Sequence, residues 1–284
     1  MPIDYRNLMA WPIPDARQVY GEKDCILYAL GIGFGTHPLE VGHLRHVYES
    51  GLEAFPAMAM VLATGGPWAR NPETGIDYSK VVHAEQSFVL HRPLPVSGAV
   101  HSRSRLTGVV DKGEGRGAIV TAQRQLFIDG SATPAATLTS SLFCRADGGF
   151  GGPAAVGPRF EAMPDRAPDI VTQLSIPAHL ALIYRLSGDY NALHADPDAA
   201  RRAGFPAPIL HGLCSFGIAL RSVAEGLGIA PKEIVGAGVR FTAPVYPGET
   251  LETSIWRQGE GAMFRTRAVE RNAITLNLGR VQLG

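Results

Sequence analysis

Two short stretches carry side chains that could do chemistry. The first, S-G-D-Y-N-A-L-H-A-D at 187–196, sets a carboxylate at Asp189, an amide at Asn191 and an imidazole at His194. An acid and an imidazole five residues apart across a turn can converge on one water. Water is a poor nucleophile at neutral pH, and an imidazole titrating near about 6.5 is suited to exchange its proton. The second stretch, G-F-P-A-P-I-L-H-G-L-C at 204–214, stiffens an extended lead-in with Pro206 and Pro208 and then opens an apolar run at His211-Gly212. Free N–H groups at a helix start attract developing negative charge, and a glycine there permits close approach. An acid–base pair plus an oxyanion donor is the equipment for forming or quenching an enolate beside a carbonyl. Competing readings exist for the same residues. Asp189 and Asn191 can shape a turn, and Asp196 before Pro197 is a good helix N-cap. A divalent metal site would need more hard ligands than this group provides.

The elements that position these residues come from an internal duplication. I-L-Y-A-L-G-I-G-F-G around Tyr28 parallels L-I-Y-R-L-S-G-D-Y-N around Tyr184. Phe55-Pro56-Ala57 recurs as Phe205-Pro206-Ala207, and Val81-Val82-His83-Ala84 with Phe88 parallels Ile234-Val235-Gly236-Ala237 with Phe241. Across the copies, Gly33 stands at Asp189, Gly35 at Asn191, Pro38 at His194 and Val61-Leu62 at His211-Gly212. The first copy keeps the apolar frame and lacks the polar set. A role required by the fold alone would leave something similar in both copies, so the comparison favours function.

Each copy reads as one helix followed by antiparallel strands, an α+β unit. In the second copy Leu213, Phe216, Leu220 and Val223 form a stripe of helical period, with Gly226 and Gly228 as a stop. D-P-D-A-A-R-R-A-G reads as a short helix ending at Gly204. In the first copy only M-A-M-V-L-A-T separates Phe55-Pro56 from Gly65-Gly66-Pro67, room for about two turns. A shortened helix leaves space over the sheet for a bulky ligand. The Gly/Pro-rich stretch 147–160 reads as a linker between a first domain, 1–146, and a catalytic second domain, 161–284.

Composition excludes several classes. Lys plus Arg and Asp plus Glu balance at 26 each, which argues against a large electrostatic footprint for nucleic acid or anionic lipid. The three cysteines form no C-x-x-C pair, so no disulfide framework or zinc site is implied. No signal peptide or membrane span is visible, and a cytoplasmic protein is expected. G-I-G-F-G-T at 31–36 follows a strand-like run and resembles a dinucleotide fingerprint. Thr36 and Pro38 spoil it, and the duplication explains it better. The chain has no G-x-S-x-G elbow for nucleophilic acyl transfer.

Y-R-L-S-G-D-Y-N-A-L-H-A-D-P followed by G-F-P-A-P-I-L-H-G-L resembles the signature of the MaoC-like, (R)-specific enoyl-CoA hydratases, also called hydratase 2. Y-G-E-K-D-C-I-L-Y-A-L-G-I-G and H-A-E-Q with L-H-R-P-L-P are similar to the first half of the family's two-domain form. Where the family pattern places proline after the asparagine, Ala192 stands here. The resemblance implies a double hot-dog fold: two antiparallel sheets, a long central helix in the second half and a reduced one in the first. It also implies a homodimer and cofactor-free, reversible hydration of trans-2-enoyl-CoA to the (R)-3-hydroxyacyl-CoA. By position, Asp189 and His194 become the catalytic pair, Asn191 supports them and the Gly212 amide holds the thioester oxygen. Glu85 matches a family glutamate. His211, Arg240 and Glu85 are the candidate substrate-binding residues, with Arg201-Arg202 further candidates for the CoA phosphates. Alternatives on the same scaffold are a dehydratase acting on a carrier-protein or dicarboxylic acyl thioester, a thioesterase, and a non-catalytic thioester binder.

Overall fold

The computed structural model describes residues 2–37, 39–154 and 160–284, so Pro38 and the 155–159 part of the expected linker lie outside the described residues. Alternating apolar and polar runs separated by turn residues form ten strands. In the first half these are β1 (Ala16–Tyr20), β2 (Val81–Leu90), β3 (Gly98–Asp111), β4 (Ala118–Ile128) and β5 (Ala136–Cys144). In the second they are β6 (Ile170–Ser175), β7 (Ile234–Phe241), β8 (Thr250–Gln258), β9 (Gly261–Ala268) and β10 (Ala273–Leu283). The spatial order is β1-β3-β4-β5-β2-β7-β10-β9-β8-β6, and every pairing is antiparallel. Read inward from either edge the order is the same once β6 to β10 are matched to β1 to β5. The duplication read in the sequence is therefore a duplication of topology. The two expected sheets are two five-stranded halves of one continuous sheet, fused where β2 pairs β7. At that seam Gln86 pairs Val239, positions separated by the offset of the repeat itself (239 − 86 = 234 − 81 = 153). An approximate two-fold axis passes between them.

The helices are α1 (Tyr5–Met9), α2 (Glu22–Gly31), α3 (Val41–Val47), α4 (Leu180–Tyr184), α5 (Pro197–Arg202) and α6 (Gly212–Leu227). The run around Tyr28 that reads as strand-like is thus helical, because its packing partner is a helix: α2 lies against α4. A Cβ added at Gly31 would stand 3.2 Å from the Tyr184 Cα. Repeat-related Tyr28 and Tyr184 meet there with ring centroids 5.9 Å apart. α5 is capped by the Asp196 carboxylate, which accepts from the Asp198 N–H at 2.8 Å. The central helix α6 runs through Gly226, where a Cβ would come within 2.8 Å of Ile255 Cδ1, and stops only at Gly228 in the left-handed region (φ +70°). Its counterpart in the first half is a five-residue 3₁₀ helix, Pro56–Met60.

The larger apolar core spans both halves, with Phe216 of α6 packed between Phe88 and Phe264 at centroid distances of 6.3 and 6.4 Å. Gly217 makes this possible on the side facing α2, where a Cβ would lie 2.7 Å from Ile32 Cγ2 and 3.1 Å from the Tyr28 hydroxyl. Gly217→Val should cost about 1–3 kcal/mol through overpacking. A thermal melt should then show a midpoint lower by roughly 2–10 °C, and an unchanged midpoint would contradict this packing. The described start of the linker is tied down. The Asp111 carboxylate accepts from the N–H groups of Gly113, Gly149 and Gly151 at 2.7–2.8 Å, and these bonds lower its pKa.

Candidate active site

Asp189, Asn191 and His194 occupy the connection between α4 and α5. Asn191 accepts from the Leu193 N–H at 3.2 Å and so caps the one-turn 3₁₀ helix Ala192–His194. Its own N–H donates to Asp189 Oδ1 at 3.1 Å. The turn role and the chemical role thus coexist: Asn191 shapes the turn that aims the other two. Asp189 Oδ2 stands 4.0 Å from His194 Nε2. That gap is too long for a direct hydrogen bond and suits one bridging water.

The histidine protonation follows from partners. His194 Nδ1 lies 2.8 Å from the Ile209 carbonyl, which can only accept, so Nδ1 carries the hydrogen. The neutral ring therefore presents the Nε2 lone pair towards Asp189. His194 is buried, and burial lowers its pKa below the usual value. His211 stacks on it with centroids 3.7 Å apart and planes at 27°. By the same reasoning His211 Nε2 donates to the Asp189 carbonyl at 3.1 Å, fixing the backbone of the acid. Burial, together with the neighbouring His194, lowers the His211 pKa to about 4. His211 Nδ1 is buried without a partner among the described residues, and the His211 and Tyr184 ring centroids lie 5.0 Å apart. Asp189, His194 and His211 place ligand-type atoms within 4.8 Å of one another. A metal must lie near the plane of each ligating ring at about 2 Å, and two stacked rings cannot both aim a lone pair at one such point.

Gly212 begins α6 with His211 as N-cap and no side-chain capping bond, so its N–H is one of the free donors of a helix start. A Cβ there would stand 3.2 Å from the Phe241 ring, so the glycine and Phe241 are in close contact. Phe241 in turn packs on His83, centroids 4.8 Å apart. His83 was not singled out by the sequence. It comes from the first half across the β2–β7 seam, its Nε2 donates to the Glu85 carbonyl at 3.0 Å, and burial lowers its pKa to about 4. Its charge interacts with Asp189. Arg185, which lies over the Tyr190 ring at 5.1 Å, acts electrostatically on both His194 and His211.

Arg240 and Glu85 are brought to each other rather than to this cluster. Arg240 Nε and Nη2 donate to Glu85 Oε1 at 2.9 and 2.6 Å. Because Phe241 points towards Gly212, its strand neighbour Arg240 points to the opposite face of the sheet. There Arg240 and Arg280 both lie against the Phe160 ring, at 5.6 and 5.8 Å. Arg201 is paired with Asp198 on the exposed face of α5. A cavity of about 360 Å³ lies beside the site. Gly188 and Tyr190, flanking Asp189, form part of its wall, and Tyr28, Met58, Val61 and Leu62 form another part. It adjoins the end of the shortened first-half helix, and Arg17, Gln18 and Asp24 also line it.

Two family models match the chain: the MFE-2 hydratase 2 N-terminal domain over residues 19–146 and the MaoC like domain over residues 159–277. The enoyl-CoA hydratase ChsH3 of Mycobacterium tuberculosis is 34% identical over 288 residues, covering 98% of each chain. This chain belongs to the MaoC-like hydratase 2 family. A solved MaoC-like dehydratase from Phytophthora capsici superposes with a TM-score of 0.87 at 30% identity over 99% of both chains. A Mycobacterium tuberculosis protein described as having a double hotdog fold shares the fold alone, with a TM-score of 0.56 at 14% identity over 95% of this chain and 93% of that one. The ten-stranded sheet around α6 is the double hot-dog of this family.

Proposed function

We propose that the protein reversibly adds water across the C2–C3 double bond of a trans-2-enoyl-CoA to give the (R)-3-hydroxyacyl-CoA. The observation that carries this reading is the 4.0 Å gap between Asp189 Oδ2 and His194 Nε2, with the only ring proton committed to Ile209. A water in that gap donates one hydrogen to each group and turns its oxygen towards the substrate. As the oxygen attacks C3, one of its protons passes to the pair and electrons move to the thioester oxygen. The Gly212 N–H and the start of α6 stabilise the enolate. Return of a proton to C2 from the pair completes the addition of H and OH. No cofactor is needed.

The cavity beside Asp189 supports acyl chains of medium or greater length. Exposed Leu39, Val41 and Leu44 on and beside α3 support a homodimer. Three free, buried cysteines support a reducing, cytoplasmic setting, and the balanced charge supports a partnership with thioesters rather than nucleic acid. No described helix is long and apolar enough to cross a membrane.

The test is enoyl absorbance followed over a panel of enoyl-CoA lengths, with product chirality determined and free thiol titrated in parallel. Absorbance should fall, fastest beyond four carbons, with an (R) product and no thiol release. Thiol release would make the protein a thioesterase. Binding of the thioester without any change in absorbance would make it a non-catalytic binder.

A further inference from the structure

The shortened helix of the first half ends at a polar clamp. One terminal nitrogen of Arg124, on β4, donates to the Met60 carbonyl at 2.7 Å, and the other donates to the Leu62 carbonyl. Ala63, the next residue, takes the left-handed conformation (φ +45°), which an alanine adopts only when its surroundings hold it. Its N–H donates to Gln18 Oε1 and its carbonyl accepts from Ser102 Oγ, both at 2.7 Å. Side chains from β1, β3 and β4 thus fix successive backbone groups at the point where α6, in the other half, simply continues. Burial lowers the Arg124 pKa to about 10, and no carboxylate contributes to that shift. A half-buried cation with no carboxylate paired to it among the described residues is a costly way to hold two carbonyls. An apolar side chain at this position would leave both carbonyls without this donor and release the segment that carries them. What the arginine holds in place is the segment that brings Met58, Val61, Leu62 and Ala63 to the cavity beside Asp189, which Arg124 itself does not line.

We propose that Arg124 is a specificity-determining residue: by fixing the Met60 and Leu62 carbonyls it keeps the truncated helix end out of the cavity and so admits acyl chains longer than four carbons. The assignment rests on the hydratase reading for its substrate, although the clamp itself is a matter of binding. The test compares Arg124→Met with the parent on four-carbon and ten-carbon trans-2-enoyl-CoA. The ten-carbon substrate should lose about tenfold in kcat/KM, mostly through KM, and the four-carbon one far less. Arg124→Lys, which can reach one carbonyl at a time, should fall between. An equal loss on both substrates, or no loss on either, overturns the proposal. Should Arg124→Met not fold, Ser102→Ala removes a neighbouring bond to the same segment and must shift the length profile in the same direction; an unshifted profile overturns the proposal. Calorimetric binding of saturated ten-carbon and four-carbon acyl-CoA needs no turnover. A parent protein that hydrates nothing would sink the hydratase reading. A loss of affinity in Arg124→Met confined to the long chain would still support the clamp, and unchanged affinity for both chains would overturn it.

Discussion

Asp189→Asn should lower hydration of enoyl-CoA by about a thousandfold while leaving the fold intact. The magnitude is that of a general acid–base group removed from a reaction in which it exchanges a proton. The fold should survive because the side chain is 57% exposed and its one protein hydrogen bond, from the Asn191 N–H, can be accepted by an asparagine oxygen equally well. Substitutions at such positions usually change stability by no more than about 0.5 kcal/mol. The carboxamide differs from the carboxylate in charge and in the atom it turns towards His194. On the proposed mechanism it could neither take a proton from a bridging water nor return one to C2. The measurement is initial loss of enoyl absorbance, paired with a thermal melt. Full activity in this variant removes Asp189 from the mechanism; lost activity with a collapsed melt would place its role in folding instead.

How much of this site the sequence discloses depends on how local each part is. Asp189, Asn191 and His194 lie within six residues, and the turn that joins them is built by their own side chains, so spacing alone was informative. Gly212 alone reads as a helix start where glycine avoids a clash, which its contact with Phe241 matches, and only its company with the polar cluster set it apart. The duplicated chain supplied a control, since the first half folds around Gly33 and Gly35 without the polar set. His83 was hidden for the opposite reason. It reaches the site only because β2 pairs β7 in one register, and a bulge between His83 and Glu85 decides which face each side chain takes. Nothing in H-A-E-Q states that pairing. The same bulge and seam turn Glu85 towards Arg240 and away from the Asp189–His194 cluster. Arg124 lies more than sixty residues from the carbonyls it holds and is surrounded by ordinary strand residues, so no local pattern marks it. The helical state of the run around Tyr28 was also tertiary in origin, because its partner α4 is 150 residues away.

His194→Gln should cost a further large fraction of activity, about a hundredfold to ten-thousandfold, and should change the pH profile as well as the rate. Glutamine can still donate to the Ile209 carbonyl, so the turn has a substitute for the 2.8 Å bond, but it has no basic lone pair to offer the water. On the proposed mechanism the hydration rate of the parent protein requires neutral His194. Burial lowers its pKa, so the acid limb of activity should lie below pH 6.5, the value for a free imidazole. The residual activity of the variant should lack that limb; a limb unchanged in position would assign it to another group. Stability should follow the same sign. His194, His211 and His83 all have folded pKa values below the unfolded one, the latter two at about 4, so the unfolded chain binds more protons in that interval. Their contribution is fully present above pH 6.5 and is lost as pH falls towards 4. His194 and His211, stacked at 3.7 Å, cannot both become cations without separating. Acid should therefore take the site apart by splitting this pair, and melts between pH 7 and 4 should show it. Combining His194→Gln with Asp189→Asn should cost little more than either change alone, because two groups that hold one water act as a unit. Fully multiplicative losses would mean that they serve separate steps.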